Sequence, residues 1–246
     1  MSKGERNRQK ARERIAQQRA LDAKRQQRRR WMTIAGAAAA VVIVAAGITL
    51  AVIRNGGGAN SAGGGTPKLN TAALSTLGTL QPAPAEGPAG SEGVPIPAAA
   101  PLASTAAGAT GQKVDGISCQ TSEQAAFHIH AHLTIFVTGS PRQVPADIGI
   151  PGTCLYWLHT HYADGVIHIE SPVHRTFTLG DFFDEWGQPL GPRQVGPTTG
   201  RVIAIYNGKA YVGNPRDIPL DSHAQIQLEV GAPLIAPQTI TFPGTL

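Results

Sequence analysis

Sulfur is nearly absent from this 246-residue chain, which holds two cysteines and two methionines. The methionines are Met1 and Met32, so nothing beyond residue 32 offers a thioether. Three catalytic signatures are missing as well. The sequence has no HExxH helix motif, no Gly-x-Ser-x-Gly elbow, and no cysteine beyond the one pair to serve as a nucleophile. Aromatic residues are only 5% of the chain, and none stands among the basic residues 1–30, so that segment has no platform for stacking on bases. Basic charge is scarce in the C-terminal part of the chain. From Val114 onward 6 Lys/Arg face 11 Asp/Glu, whereas residues 1–30 carry 12 Lys/Arg and 3 Asp/Glu. The net charge of +5 therefore describes the tail, and no nucleic-acid partner is expected for the C-terminal part.

Four regions follow from composition. Residues 1–30 form a basic tail, expected to lie in the cytoplasm and to meet anionic lipid headgroups at roughly 1 kcal/mol per nearby Lys/Arg. Residues 31–53 (WMTIAGAAAAVVIVAAGITLAVI) carry no charge and, at 1.5 Å per residue, span about 34 Å as a helix, enough for one membrane crossing. Arg28, Arg29 and Arg30 before the run place the N-terminus inside, and Trp31 suits the interface. A cleaved signal peptide is the competing reading, with small residues at 59–62; the long basic region and long apolar run favour an uncleaved signal-anchor. Residues 54–113 are Gly, Ala, Pro, Ser and Thr with few charges, the composition of a flexible, disordered linker. Residues 114–246 recover large apolar side chains and contain all eight histidines, so they are expected to be an extracytoplasmic domain.

Within that domain Cys119 and Cys154 predict one disulfide, since the compartment is oxidising; two buried thiols, or a thiol ligand to a metal, are the alternatives. Residues 127–137 (FHIHAHLTIFV) alternate strictly, which places His128, His130 and His132 on one face of a strand. Residues 155–158 read as an apolar strand ending at His159 and His161, and 166–170 alternate again with His168 and Glu170 together. Thr178 and Asp181 open a short helix that Gly187 ends, and Asn207-Gly208 joins a hairpin. The expected class is α+β and β-dominated, with His-bearing strands followed by a β-grasp-like sheet over one short helix.

Imidazoles two residues apart on a strand lie about 6.5–7 Å apart at the backbone, near enough to share an ion, whereas three in a row do not all reach one. The expected metal ligands are therefore a pair from His128, His130 and His132, completed by His159, His161 or His168. Glu170 or Asp164 would ligate or orient a ligand. His174 and His223 stand alone and are expected to be bystanders. Imidazole with carboxylate, and no free sulfur, suits Zn²⁺ or Cu(II). A metal-dependent enzyme with a three-His open site, a protein-interaction module without metal, and a histidine pH switch are the other functions this pattern admits.

The segments HIHAHLTIFVTG, VPADIGIPG, CLYWLHTHYADGVIHIESP and TLGDFFDEWGQPL resemble a family of bacterial membrane-anchored, His-rich extracytoplasmic proteins. The resemblance covers about residues 115–246 and implies the extent of the fold rather than an activity. The family places an acidic residue after its HTH, where this chain has Tyr162, so Asp164 is the residue that would substitute.

Overall fold

The computed structural model describes residues 71–246. The basic tail, the predicted membrane helix 31–53 and residues 54–70 lie outside the described residues. Among the described residues no helix is long and apolar enough to cross a membrane.

The described chain is β-dominated with few short helices. It opens with a helical turn α1 (Thr71–Leu74) and a two-residue strand β1 (Leu80–Gln81). The long strand β2 (Phe127–Val137) turns into β3 (Ser140–Arg142), and then come β4 (Leu158–His159) and β5 (Val166–Ser171). Helix α2 (Leu179–Trp186) leads to a small three-stranded sheet of β6 (Leu190–Gly191), β7 (Gln194–Val195) and β8 (Thr198–Thr199). Strands β9 (Val202–Tyr206), β10 (Lys209–Ala210), β11 (Gln225–Val230) and β12 (Leu234–Ile235) complete the order.

The main sheet runs β10-β9-β11-β2-β5-β4, with β3 also paired to β2. Strands β2 and β11 are parallel neighbours, and β5 and β9 flank them antiparallel. The histidine strands are thus not a unit ahead of a second sheet, as the sequence suggested. Strand β2 is the middle of the one large sheet, because β11 returns to pair with it over six residues, from His132 opposite Gln225 to Val137 opposite Val230.

The two sheet faces bury different things. The odd-numbered face of β2 (Ala131, Leu133, Ile135) joins Ile167, Ile169, Ile226 and Leu228 in a core covered by α2. That helix offers Leu179, Phe182, Phe183 and Trp186, all fully buried. It begins where predicted: Thr178 and Asp181 form a reciprocal capping box, and Gly187 closes it in the left-handed region at φ 68°. The β9–β10 turn has Asn207 at φ 50° and Gly208 at φ 75°, the pair of positive angles that a tight hairpin needs.

The even-numbered face carries the histidines. Of the segment predicted to be linker, Pro84, Pro95 and Ala98 lie beside His132, Thr134 and Phe136, and Glu92 meets His168, whereas Leu102 and Ala109 join the core on the α2 side. Leu74, Val94 and Leu102 are buried, and backbone bonds join Gln143 to Ala100 and Leu102. Strand β1 pairs parallel with β12, and Ala109 donates to the Glu185 carbonyl. Composition pointed to a free chain over 54–113, but its described part, 71–113, is fixed by a few large apolar anchors and by backbone hydrogen bonds. Proline-rich chain needs little extra ordering to lie extended on a sheet. Further along the face, Gln227 and Glu229 of β11 are buried and bind the backbone of the C-terminal segment: Ile235 N–H donates to Glu229 Oε2 at 2.8 Å and Gln238 N–H to Gln227 Oε1 at 2.8 Å.

Candidate metal centre

Register builds the site. Antiparallel pairing sets His128 opposite Glu170 and His130 opposite His168, and β4 sets His159 opposite that same His168. Three strands therefore contribute a row of imidazoles, His130, His168 and His159, with His128 and Glu170 in the adjoining row. His161 follows β4 two residues after His159 and brings its ring to 4.3 Å from that of His168, centroid to centroid.

Strand β4 is at the sheet edge and is held from both sides. Residues 147–149 run along it, with Thr160 N–H donating to the Ile148 carbonyl at 3.1 Å and Tyr156 N–H to that of Gly149 at 2.9 Å. The disulfide Cys119–Cys154 lies just ahead, and Gln120 and Leu155 exchange both backbone hydrogen bonds. The predicted disulfide thus braces the segment that carries His159 and His161.

Donor atoms converge. His128 Nε2 lies 3.1 Å from His130 Nε2 and 3.2 Å from Glu170 Oε1. His168 Nδ1 lies 3.1 Å from His130 Nε2 and 3.5 Å from Glu170 Oε1. Four ligands held tetrahedrally around an ion at 2.0–2.1 Å are separated by about 3.3–3.4 Å. The four spacings bracket that value, and all four donors lie within 4.8 Å of one another, so this group could hold one ion. A second group of His159, His161, His168 and Glu170 also has all its donors within 4.8 Å of one another. His159 Nδ1 donates to the Tyr156 carbonyl at 2.9 Å, which fixes the tautomer and leaves Nε2 as the basic nitrogen on the Glu170 side, 4.0 Å from Oε2.

The site is buried apart from His128, whose side chain is 44% exposed and marks the side open to solvent. Burial, then the neighbouring His168 and His128, push the His130 pKa down to about 2, so this imidazole stays neutral with a lone pair available. Burial alone would lower His168, but hydrogen bonds to Glu170 and Glu92 outweigh it and raise it to about 9. Burial alone would raise Glu170, yet hydrogen bonds with His128 and His168 hold it well below the usual carboxylate range. Without a metal, a proton on His168 is therefore the positive charge between two carboxylates.

Of the predicted ligands, His128, His130, His159, His161, His168 and Glu170 come together, and His132 does not. Its Nε2 donates to the Asp164 carbonyl at 2.8 Å, in the turn before β5, and burial pushes its pKa down to about 4. A third imidazole along β2 is one pleat too far from the pair and serves the turn instead. Asp164 likewise works locally, with Oδ1 accepting from Val166 N–H at 3.1 Å. His174 packs its ring on Phe127 and His223 stacks on Phe242, and neither belongs to the clustered donor groups.

Two carboxylates at the site were not anticipated. Glu92, from the covering segment, lies 3.3 Å from His168 Nε2, and Glu123 lies 3.7 Å from His161 Nε2. Each is a lone acid in a loop without a motif. The one available signal was that Glu86 and Glu92 interrupt an otherwise uncharged Pro/Ala/Gly stretch.

No protein-family model matches the chain, and no curated protein or solved structure matches it.

Proposed function

We propose that this chain is a membrane-anchored extracytoplasmic protein that holds a divalent ion, Zn²⁺ or Cu(II), in its histidine cluster. The observation that carries the reading is the spacing of His128 Nε2, His130 Nε2, His168 Nδ1 and Glu170 Oε1, at 3.1–3.5 Å between neighbouring donors. Like imidazoles gathered in a buried pocket are unfavourable when protonated, and a dication resolves both their lone pairs and the Glu170 charge. With Cys119 and Cys154 joined, the described residues offer no thiolate and no thioether, which favours borderline ions over Cu(I). Glu92 against His168 is the carboxylate–histidine pairing that orients a metal ligand.

The placement in the cell rests on sequence: the uncharged run 31–53, the basic residues before it, and lipid headgroups as the tail's partner. A disulfide agrees with an oxidising compartment. Resemblance to the bacterial His-rich family belongs to the same proposal. So does a β-grasp-like reading of the sheet, in which the central parallel strands β2 and β11 are separated in sequence by α2.

The test is metal analysis of the purified full-length chain, followed by Zn²⁺ and Cu²⁺ titration. At least one tightly held ion per chain, with affinity falling at least 100-fold in His130→Asn, is expected. No ion retained at neutral pH, or equal affinity in the variant, would overturn the reading.

A further inference from the structure

Building on the metal-holding reading, we infer that the cluster is a two-ion centre in which the carboxylate of Glu170 bridges both ions. The two donor groups overlap only through His168 and Glu170, and together they hold six side chains. A tetrahedral ion uses four ligands, so one ion leaves a histidine pair over. The surplus is not scattered. His128 and His130 lie on β2 and His159 and His161 on or just after β4, and β5, with His168 and Glu170, runs between them. Each flank thus supplies an i, i+2 imidazole pair, and the middle strand supplies the bridging carboxylate of Glu170 and one further imidazole, His168.

The two oxygens of Glu170 address different flanks. Oε1 is 3.2 Å from His128 Nε2 and 3.5 Å from His168 Nδ1. Oε2 points toward the other side, 4.0 Å from His159 Nε2, and it is buried without a hydrogen bond. A buried carboxylate oxygen without a donor is costly, and a second cation at that position would satisfy it. Charge agrees. Two dications bring four positive charges, and Glu170, Glu92 beside His168 and Glu123 beside His161 bring three negative ones. His168 Nδ1, within 3.5 Å of Glu170 Oε1, belongs to the first ion together with His128 and His130. His159 and His161 take the second, with the remaining positions open to water. Carboxylate-bridged ions sit about 3.5–4 Å apart, close enough for magnetic coupling.

The experiment loads the full-length chain with Cu²⁺, removes excess, and compares total copper with the electron-paramagnetic-resonance spin count. Two coppers per chain are expected, with the spin count well below the copper content because the ions couple. Glu170→Gln is expected to bring spin count and copper content back into agreement. His159→Asn/His161→Asn is expected to leave one copper, fully visible. One copper per chain in the wild type, or two with a full spin count, overturns the bridged pair and leaves the metal-holding reading standing. No retained copper overturns both. Because the wild-type measurement decides by itself, a variant that fails to fold does not remove the test.

Discussion

At the scale of single residues, neighbouring histidines on one strand face have opposite tasks. His130 and His132 are both buried on the same face of β2, yet one enters the cluster and the other donates to the Asp164 carbonyl. His132→Ala should leave metal stoichiometry intact while destabilising the fold by about 1–3 kcal/mol, the cost of leaving a buried acceptor unpaired. Denaturant unfolding and metal analysis of the same sample separate the two effects. Alternation placed both imidazoles on the correct face, but it could not show which would meet the turn before β5, since that depends on a partner 32 residues away.

His168 gives the site its pH dependence. Its pKa in the metal-free protein is raised to about 9, so it carries a proton at pH 7, and Nδ1 must lose a proton to bind an ion. Metal affinity should therefore rise about tenfold per pH unit from 7 toward 9 and level off above that. Calorimetric titration in buffers of different ionisation enthalpy should show about one proton released per chain at pH 7. A flat affinity between pH 7 and 9 would mean that His168 is already neutral.

At the scale of elements, the parts with local signals were the readable ones. Strand β2 announced itself by alternation, α2 by the Thr178/Asp181 cap, and the β9–β10 hairpin by Asn207-Gly208. Strand β4 was overdrawn: residues 155–158 read as a strand, but regular pairing is confined to Leu158–His159. The neighbouring loop does much of the holding, and Gly149 is its tightest point. At φ 72° a Cβ there would stand 2.3 Å from the Leu158 carbonyl oxygen and 3.0 Å from His159 Cβ. Gly149→Ala should push β4 away from β5 and weaken metal binding through His159, without touching a ligand. A titration showing unchanged affinity would mean that β4 does not position the site. Thr178→Ala, at the far side of the core, should cost about 1 kcal/mol of stability and leave metal binding as it is.

At the scale of the whole molecule, the covering segment is the largest departure from the sequence reading. Residues 71–113 contain too few large side chains to suggest folding by themselves, and they do not need to. Leu74, Val94 and Leu102 fill sites prepared by the rest of the domain, and Glu92 reaches His168. Such dependence on a distant surface leaves no local periodicity to read. A domain cut at Val114 would expose the histidine face and lose Glu92. Residues 71–246 should therefore be more stable than 114–246 and bind metal more tightly, as thermal unfolding with and without Zn²⁺ would show. Reducing Cys119–Cys154, which closes a loop of separation 35, should cost about 3–4 kcal/mol in the chain-entropy model and loosen the segment leading to His159.

The most direct test of the metal centre is X-ray absorption on the Zn²⁺-loaded full-length chain. A first shell of nitrogen and oxygen at about 2.0–2.1 Å, no sulfur, and outer-shell scattering from at least three imidazoles is the predicted result. A sulfur shell, or a shell of oxygen alone without imidazole scattering, would contradict the assignment of His128, His130 and His168 as ligands.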